Sequence, residues 1–442
     1  MKKQVSLALA AVMAAGMLAA CGGSSSSAAA SSAASSEAGS TASAASNEAA
    51  SGDALSADIT LWTYPVGNFK DEASVNELIA NFNQKYPGIN VKVEYLDYSN
   101  GDDQVTAAIE AGTTPDIILE GPERLVANWG ARGVMLDLSD LWTDESKSDI
   151  YESVQAACVS PEGAYYEYPL CMTAHTMAIN KGVFEETGAW QYIDEETRTW
   201  TTENFFKAVQ TLYDAGYENV GALFCNGSGG DQGTRALINN LYSGTFTNPE
   251  HTAYTFDCPE NVKALEALMA QDGINVDAGI NGGAEADTFA KGQLQMAFCW
   301  NAGTENARLE ALEGNEVEAF AMNFPTDDGK VELCGGIWGF GIFDNGDEAR
   351  AEAAKTFIRW ACDEEVDGCL SSGFFSVRAS HADTSSVYSM FLPLMGDYYQ
   401  VVPGWTEARA AYAEMLQAIG TGTPVADAVA TFAAAANAAA GN

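Results

Sequence analysis

The chain reads as an α/β protein of two lobes, and three observations predict this. Strand-period and helix-period apolar patterns alternate from Ile59 onward, as βαβ units require. The alternation recurs three times within residues 59–140. Beyond a low-complexity start, ~385 residues remain, which is more than one compact core holds.

The elements follow in order. Ile59-Thr60-Leu61-Trp62 is a short apolar strand running into Thr63-Tyr64-Pro65. Pro65 disfavours helix at the residue before it and donates nothing to a ladder, so the strand stops there. Val75, Leu78, Ile79, Phe82 and Tyr86 share one helical face, and Pro87-Gly88 ends that helix. Residues 89–95 alternate apolar and polar as a half-buried strand does. Strand, helix and strand in this order make a parallel pair with a right-handed crossover. In such sheets the ligand crevice lies outside the carboxyl ends of the strands, where Trp62 and Tyr64 fall. A helix with Val105, Ala108 and Ile109 on one face stops at Gly112. A buried strand then runs from Pro115 to Leu119, Glu120 lands on the same sheet edge as Trp62, and a helix over 123–131 follows.

Met1-Lys2-Lys3 and the apolar run 5–20 have the layout of a secretory signal. Leu18-Ala19-Ala20-Cys21-Gly22 resembles the lipobox of bacterial lipoproteins, which implies a signal peptide over 1–20 and acylation of Cys21. Two or more acyl chains give a stable anchor. No other stretch is long and apolar enough to span a bilayer, so contact with the membrane is expected through the lipid alone. Residues 21–57 are almost all Ser, Ala and Gly, with no means of burying a core, and are expected to be a disordered tether on the order of 30–35 Å end to end.

The formal charge is −40, and losing Lys2 and Lys3 with the signal takes it to −42. So acidic a chain repels nucleic acid and anionic lipid, and nucleic acid is excluded as a partner. Eight cysteines remain after Cys21, without zinc spacing or the density of a disulfide scaffold. Most lie in apolar stretches such as Phe298-Cys299-Trp300, where a buried thiol acts as a small hydrophobe.

At this point a family resemblance enters. "FNQKYPGINVKVEY", "AAIEAGTTPDIIL" and "GARGVMLDLSDLW" are similar to the amino-terminal lobe of extracellular solute-binding proteins, family 1. These are the maltose-binding-protein-like, sugar-binding lipoproteins of ABC importers. "YEYPLCMTAHTMAINKGVFEETG", "TWTTENFFKAVQTL", "FAKGQLQMAFCW", "GGIWGFGIF", "AAKTFIRWAC" and "TGTPVADAVATF" resemble later segments of that family in the same order. The resemblance implies a two-lobed periplasmic-binding-protein-like fold, each lobe a mostly parallel sheet flanked by helices, with ligand in the cleft between them. It assigns residues 58–169 and 326–375 to the first lobe, and 170–325 and 376–442 to the second.

A neutral sugar offers apolar C–H faces and a fringe of hydroxyls, so aromatic platforms with carboxylates, amides and hydroxyls match it. Trp62, Tyr64 and Glu120 meet that need from the first sheet edge, against the bland readings of core for Trp62 and helix capping for Glu120. Thr173 and His175 interrupt an apolar stretch at the crossing between lobes. Asp231 sits in a glycine loop, residues 226–233, that has no Lys after its glycines and so is no phosphate loop. By resemblance Trp300 and Asn301 end a strand that presents an aromatic to sugar, and Trp405 matches a late aromatic that seals the cleft. Trp338 follows two glycines that let backbone approach a ligand. Each of these three tryptophans also reads as plain core. Arg378 is the basic residue that would favour an anionic ligand.

Only three histidines occur, with no metal-binding spacing and no Gly-x-Ser-x-Gly elbow, so neither metal nor cofactor nor catalytic residue is expected. The expectation is a monomeric, lipid-anchored protein on the extracellular face of the bacterial cytoplasmic membrane. It captures a neutral oligosaccharide by hinge closure and hands it to ABC permease subunits in the membrane. The alternatives are the same fold binding a phosphorylated polyol or other small solute, or a secreted glycosidase built on two of the many carboxylates.

Overall fold

A computed structural model describes residues 55–98, 100–227 and 230–442; the signal, Cys21 and nearly all of the tether lie outside the described residues. The first strand, β1 (Ala57–Thr63), leads through a turn to helix α1 (Glu72–Lys85) and returns as β2 (Ile89–Tyr95). Asp71 starts α1 by accepting the Ser74 amide at 3.0 Å, supplying an acceptor for an otherwise unpaired donor. Helix α2 (Gly101–Ala111), β3 (Ile117–Glu120) and the short α3 (Pro122–Arg124) follow, so the alternating apolar patterns become the elements they predict. Strands β1 and β2 are parallel with Trp62 opposite Glu94, and β1 also pairs in parallel with β3.

Six strands make the first sheet, in the order β11-β4-β10-β3-β1-β2. Its other members are β4 (Tyr168–Ala174), β10 (Gly335–Ile342) and β11 (Phe375–Ser376). All three pair antiparallel, which makes the sheet mixed rather than all parallel. Antiparallel to β10, β4 runs in the same direction as β1, β2 and β3, so only β10 and β11 run against the βαβ strands. β4 stays in this sheet as far as Ala174, past the 169/170 boundary that the resemblance suggests. Phe82 of α1 meets Phe357 edge-on at 5.1 Å, part of the apolar layer behind the sheet.

The second lobe holds β5 (Thr176–Asn180) between β8 (Met296–Trp300) and β9 (Ala319–Met322), all antiparallel. A parallel pair, β6 (Gly221–Phe224) and β7 (Ile274–Asp277), lies with it. Its helical part is sealed by an aromatic cluster in which Phe256, Tyr412 and Phe432 approach at 5.5–6.0 Å. The chain is thus a two-lobed α/β protein. Its eight described cysteines are all free, seven of them buried. No described helix is long and apolar enough to cross a membrane.

Candidate functional site

Glu120 ends β3 opposite Gly339 of β10 and is 1% exposed. It accepts the Gly121 amide at 2.7 Å and Arg124 Nη1 at 2.7 Å. Arg124 sits one turn further on in α3, so its guanidinium also reaches Asp102 in a fork, Nε to Oδ1 at 2.7 Å and Nη2 to Oδ2 at 2.9 Å. Paired contacts of this kind fix orientation as well as charge. Asp102 accepts the Tyr64 hydroxyl at 2.7 Å, and the guanidinium lies 5.7 Å from the Tyr64 ring. Tyr64 is fully buried because Tyr98 stacks on it at 5.0 Å with an interplanar angle of 25°, leaving Tyr98 itself half exposed. Trp338 of β10 lies beside the Tyr98 phenol and meets Phe374 edge-on at 5.3 Å.

Tyr98 follows β2 and Phe374 precedes β11, the two outermost strands of the sheet. Tyr98, Trp338 and Phe374 therefore form an aromatic wall along the first sheet, with the Glu120–Arg124–Asp102 chain of charges beside it. Flat apolar faces next to oriented polar groups suit a polyhydroxylated ligand.

The wall also has an acidic surplus. Burial pushes the Glu120 carboxyl up to about 8, with Arg124 opposing and Glu123 adding to the rise. Glu167, just before β4, is fully buried, and neither carboxyl oxygen has a hydrogen-bond partner among the described residues. Burial, then Glu123 and Glu120, raise it well above the ordinary carboxylate range. Tyr398 donates to Glu123 Oε2 at 3.0 Å. Glu167 is thus held toward its protonated form inside the lobe, while Glu120 spends both oxygens on Gly121 and Arg124.

At the crossing between sheets the Thr173 hydroxyl is buried without a partner among the described residues. His175 anchors its own amide on the Cys334 carbonyl at 2.8 Å, while its Nδ1 is shielded and unpartnered there. Burial, then Arg235 and Arg409, lower its pKa to about 4, so the ring is neutral at pH 7 and Nδ1 is available as acceptor or donor. Asp231 is committed elsewhere: it pairs with the fully buried Arg235 and, at 2.8 Å, with Arg409. Two residues on, a Cβ on Gly233 would fall 1.7 Å from the Phe298 carbonyl oxygen, so this glycine is there to seat the helix Gln232–Leu241 on β8.

Trp300 is fully buried, its Nε1 donating to the Tyr388 hydroxyl at 2.9 Å and to Glu305 at 3.2 Å, its ring edge-on to Phe289. Asn301 caps the helix Ala302–Asn306 by accepting the Thr304 amide at 2.8 Å. Trp405 is 8% exposed, packed on Phe246 and under the Arg235 guanidinium at 4.8 Å. Arg378 is buried on the Pro169 carbonyl at 3.0 Å and Asp363 at 2.6 Å, which occupies it within the first lobe. Trp62 lines a separate cavity with Thr60 and Glu94.

The lobes touch where Gly303 and Gly373 meet: a Cβ on Gly373 would lie 2.7 Å from the Gly303 Cα. Asn306 Nδ2 donates to Ser372 Oγ at 2.6 Å beside them. A cavity of about 350 Å³ opens there, with Asn306 from one side and Phe374 from the other.

Of the residues nominated from sequence, Tyr64, Glu120 and Trp338 come together in one wall. Thr173 and His175 sit at the crossing, and Asp231, Trp300 and Trp405 are enclosed in the second lobe. Tyr98, Asp102, Arg124 and Phe374 were not nominated. Tyr98 had a signal, since an aromatic lies three residues beyond β2, at the sheet edge where Tyr64 follows β1. No cluster of His, Cys, Asp and Glu able to hold a metal occurs among the described residues.

Known proteins agree with this architecture. No curated protein is a significant sequence match. The cyclic α-maltosyl-1,6-maltose binding protein of Arthrobacter globiformis superposes with a TM-score of 0.71 at 18% identity, covering 87% of this chain and 99% of its own. The sugar-binding protein MalE of Xanthomonas citri gives 0.71 at 14% identity, covering 87% and 98%. An ABC transporter solute-binding protein of Agrobacterium radiobacter K84, in complex with ribitol, gives 0.64 at 21% identity, covering 87% and 99%. The family model for bacterial extracellular solute-binding proteins matches residues 67–367, more than half of the chain, and the chain belongs to that family.

Proposed function

We infer that this protein is the substrate-binding component of an ABC importer and that its cargo is a neutral oligosaccharide. The observation that carries the reading is the aromatic wall of Tyr98, Trp338 and Phe374 beside the Glu120–Arg124–Asp102 chain. Such a wall stacks on sugar rings while the polar chain meets their hydroxyls. The touching lobes at Gly303 and Gly373 fit hinge closure over the cargo, with lobes near 58–169 with 326–375 and 170–325 with 376–442, shifted where β4 carries the first lobe on to Ala174 and β11 to Ser376. The enclosed Arg378 gives little support to a phosphorylated ligand. The ribitol complex of the Agrobacterium relative supports a polyol as second reading. Acylated Cys21 and the Ser/Ala tether would hold the monomer on the outer face of the cytoplasmic membrane, beside its permease partners.

A thermal-shift panel of mono- and oligosaccharides, polyols, glycerol phosphates and amino acids tests this. A ligand present at about 100 times its Kd adds about 2.7 kcal/mol to folding stability. A shift with one sugar class, recovered intact, is the expected result. Cleaved sugar would make the protein a glycosidase, and a response only to phosphates or amino acids would overturn the cargo.

A further inference from the structure

Trp62 makes none of the contacts that build the aromatic wall, and its surroundings are unlike those of every other tryptophan. The chain has nine. Trp129, Trp142, Trp190, Trp200, Trp300, Trp338, Trp360 and Trp405 each have an aromatic neighbour. Trp62 alone has none among the described residues, nor any hydrogen-bond partner for its indole N–H there. It is half-buried on the sheet and faces a cavity of about 660 Å³. That volume is within the range of about 300–1,000 Å³ common for small-molecule sites.

The cavity is separate from the aromatic wall. Its lining includes none of Tyr98, Trp338, Phe374 and Glu120, and it reaches down to the loop of residues 112–115 that feeds the amino-terminal end of β3, the strand that Glu120 ends. Parallel pairing sets Trp62 beside Glu94 and Thr60 beside Lys92 on one face of the sheet. Thr114 donates to Asn345 Oδ1 at 2.7 Å and Asn345 Nδ2 to the Pro115 carbonyl at 3.2 Å, so both rim residues are held in place. Arg350 pairs with Asp116 at 2.5 Å, but its Nε has no partner among the described residues. Gly112 and Gly133, both at positive φ, border the cavity, and a Cβ at either would meet nothing within 4 Å. Glu94 is matched by Lys92 at 2.7 Å and Arg350 by Asp116, so no unbalanced charge selects an ion. An open indole with a fixed rim of hydroxyl, amide, carboxylate and guanidinium selects flat, neutral, hydroxyl-rich rings.

We propose that the Trp62 groove is a second saccharide site, distinct from the cleft, that takes one or two rings of a neutral glycan. Bound there, a polysaccharide would hold the carrier without occupying the cleft. The full chain labelled with 5-fluorotryptophan tests this by ¹⁹F NMR, with maltotetraose, cellotetraose and xylotetraose as probes. The Trp62 resonance is identified by its loss in Trp62→Phe. The expected result is a saturable shift of that resonance with at least one probe, retained when Trp338→Ala removes the cleft platform. A resonance unmoved by all three probes overturns the proposal, as does a shift that disappears in Trp338→Ala. Electrophoretic retardation in a gel containing the matching soluble polysaccharide should fall at least tenfold in Trp62→Ala, with cleft affinity unchanged. Equal retardation of Trp62→Ala and the parent would also overturn it.

Discussion

Trp338 and Trp300 each stand on a strand that runs to the region between the lobes, yet their surroundings are opposites. Trp338 keeps part of its surface open, between Tyr98 and Phe374. Trp300 is sealed, with two acceptors on its N–H and Phe289 against its ring. A tryptophan whose polar tip and faces are all satisfied inside the protein has nothing left for a ligand, while an open face does. In this pair the first lobe leaves an aromatic face open where the second lobe encloses one.

Trp300→Ala should lower folding stability by about 3–5 kcal/mol in chemical denaturation, the range for truncating a buried tryptophan. Trp338→Ala should instead weaken cargo binding by about 2–4 kcal/mol in calorimetric titration, as loss of a hot-spot platform does. Finding the large affinity loss in a folded Trp300 variant, and none in Trp338→Ala, would break the contrast.

Protonation sharpens the same comparison. Burial raises Glu120 and Glu285 from 4.5 to about 8, and Glu167 further above its normal range. A carboxyl raised on folding contributes stability that is complete below its unfolded value and is lost as pH climbs through the folded one. Melting temperature should therefore fall between about pH 5 and about pH 8 through these groups. Glu167→Gln should flatten that fall, because an amide replaces a neutral acid with no partners to lose. Glu285→Gln in the second lobe should destabilise by about 1–3 kcal/mol, because both of its oxygens accept amides, from Phe298 at 2.5 Å and Cys299 at 3.2 Å. Parallel pH profiles for parent and Glu167→Gln would mean that Glu167 is not the proton store.

The smallest effect belongs to Asn301. Its side chain caps a helix, so Asn301→Ala should cost about 0.5–2 kcal/mol of stability and leave affinity alone. A matching loss of affinity would bring Asn301 into contact with cargo.

The βαβ start was legible because periodicity is a local property: the apolar residues of β1, α1 and β2 declare their own spacing. Strand ends were legible too, which is why Tyr64 and Glu120 were nominated, while Trp338 was nominated from the two glycines before it. What the spacing could not convey is which way a side chain turns once register is set. Trp62 shares a face with Thr60 and Glu94, a fact fixed by pairing with β2. Enclosure depends on still more distant partners, since Trp300 is sealed by Tyr388 and Trp405 lies under Arg235. Arg124 and Asp102 were invisible for the same reason: a surface-looking pair of charges becomes an orienting fork only when α2 and α3 lie side by side.

The glycine pair at 303 and 373 has a mechanical consequence. Under the hinge closure proposed above, two bare backbones in contact would limit the closed position by main chain, which yields far less than a side chain. Gly373 holds φ at +93°, a conformation that side chains rarely adopt, and a methyl there would wedge against the Gly303 Cα. Apparent affinity scales with the fraction of molecules able to close, so a single methyl far from the aromatic wall would detune binding without altering one contact to the sugar. Such a stop would serve as a calibration point for the proposed hinge, set by the absence of two side chains.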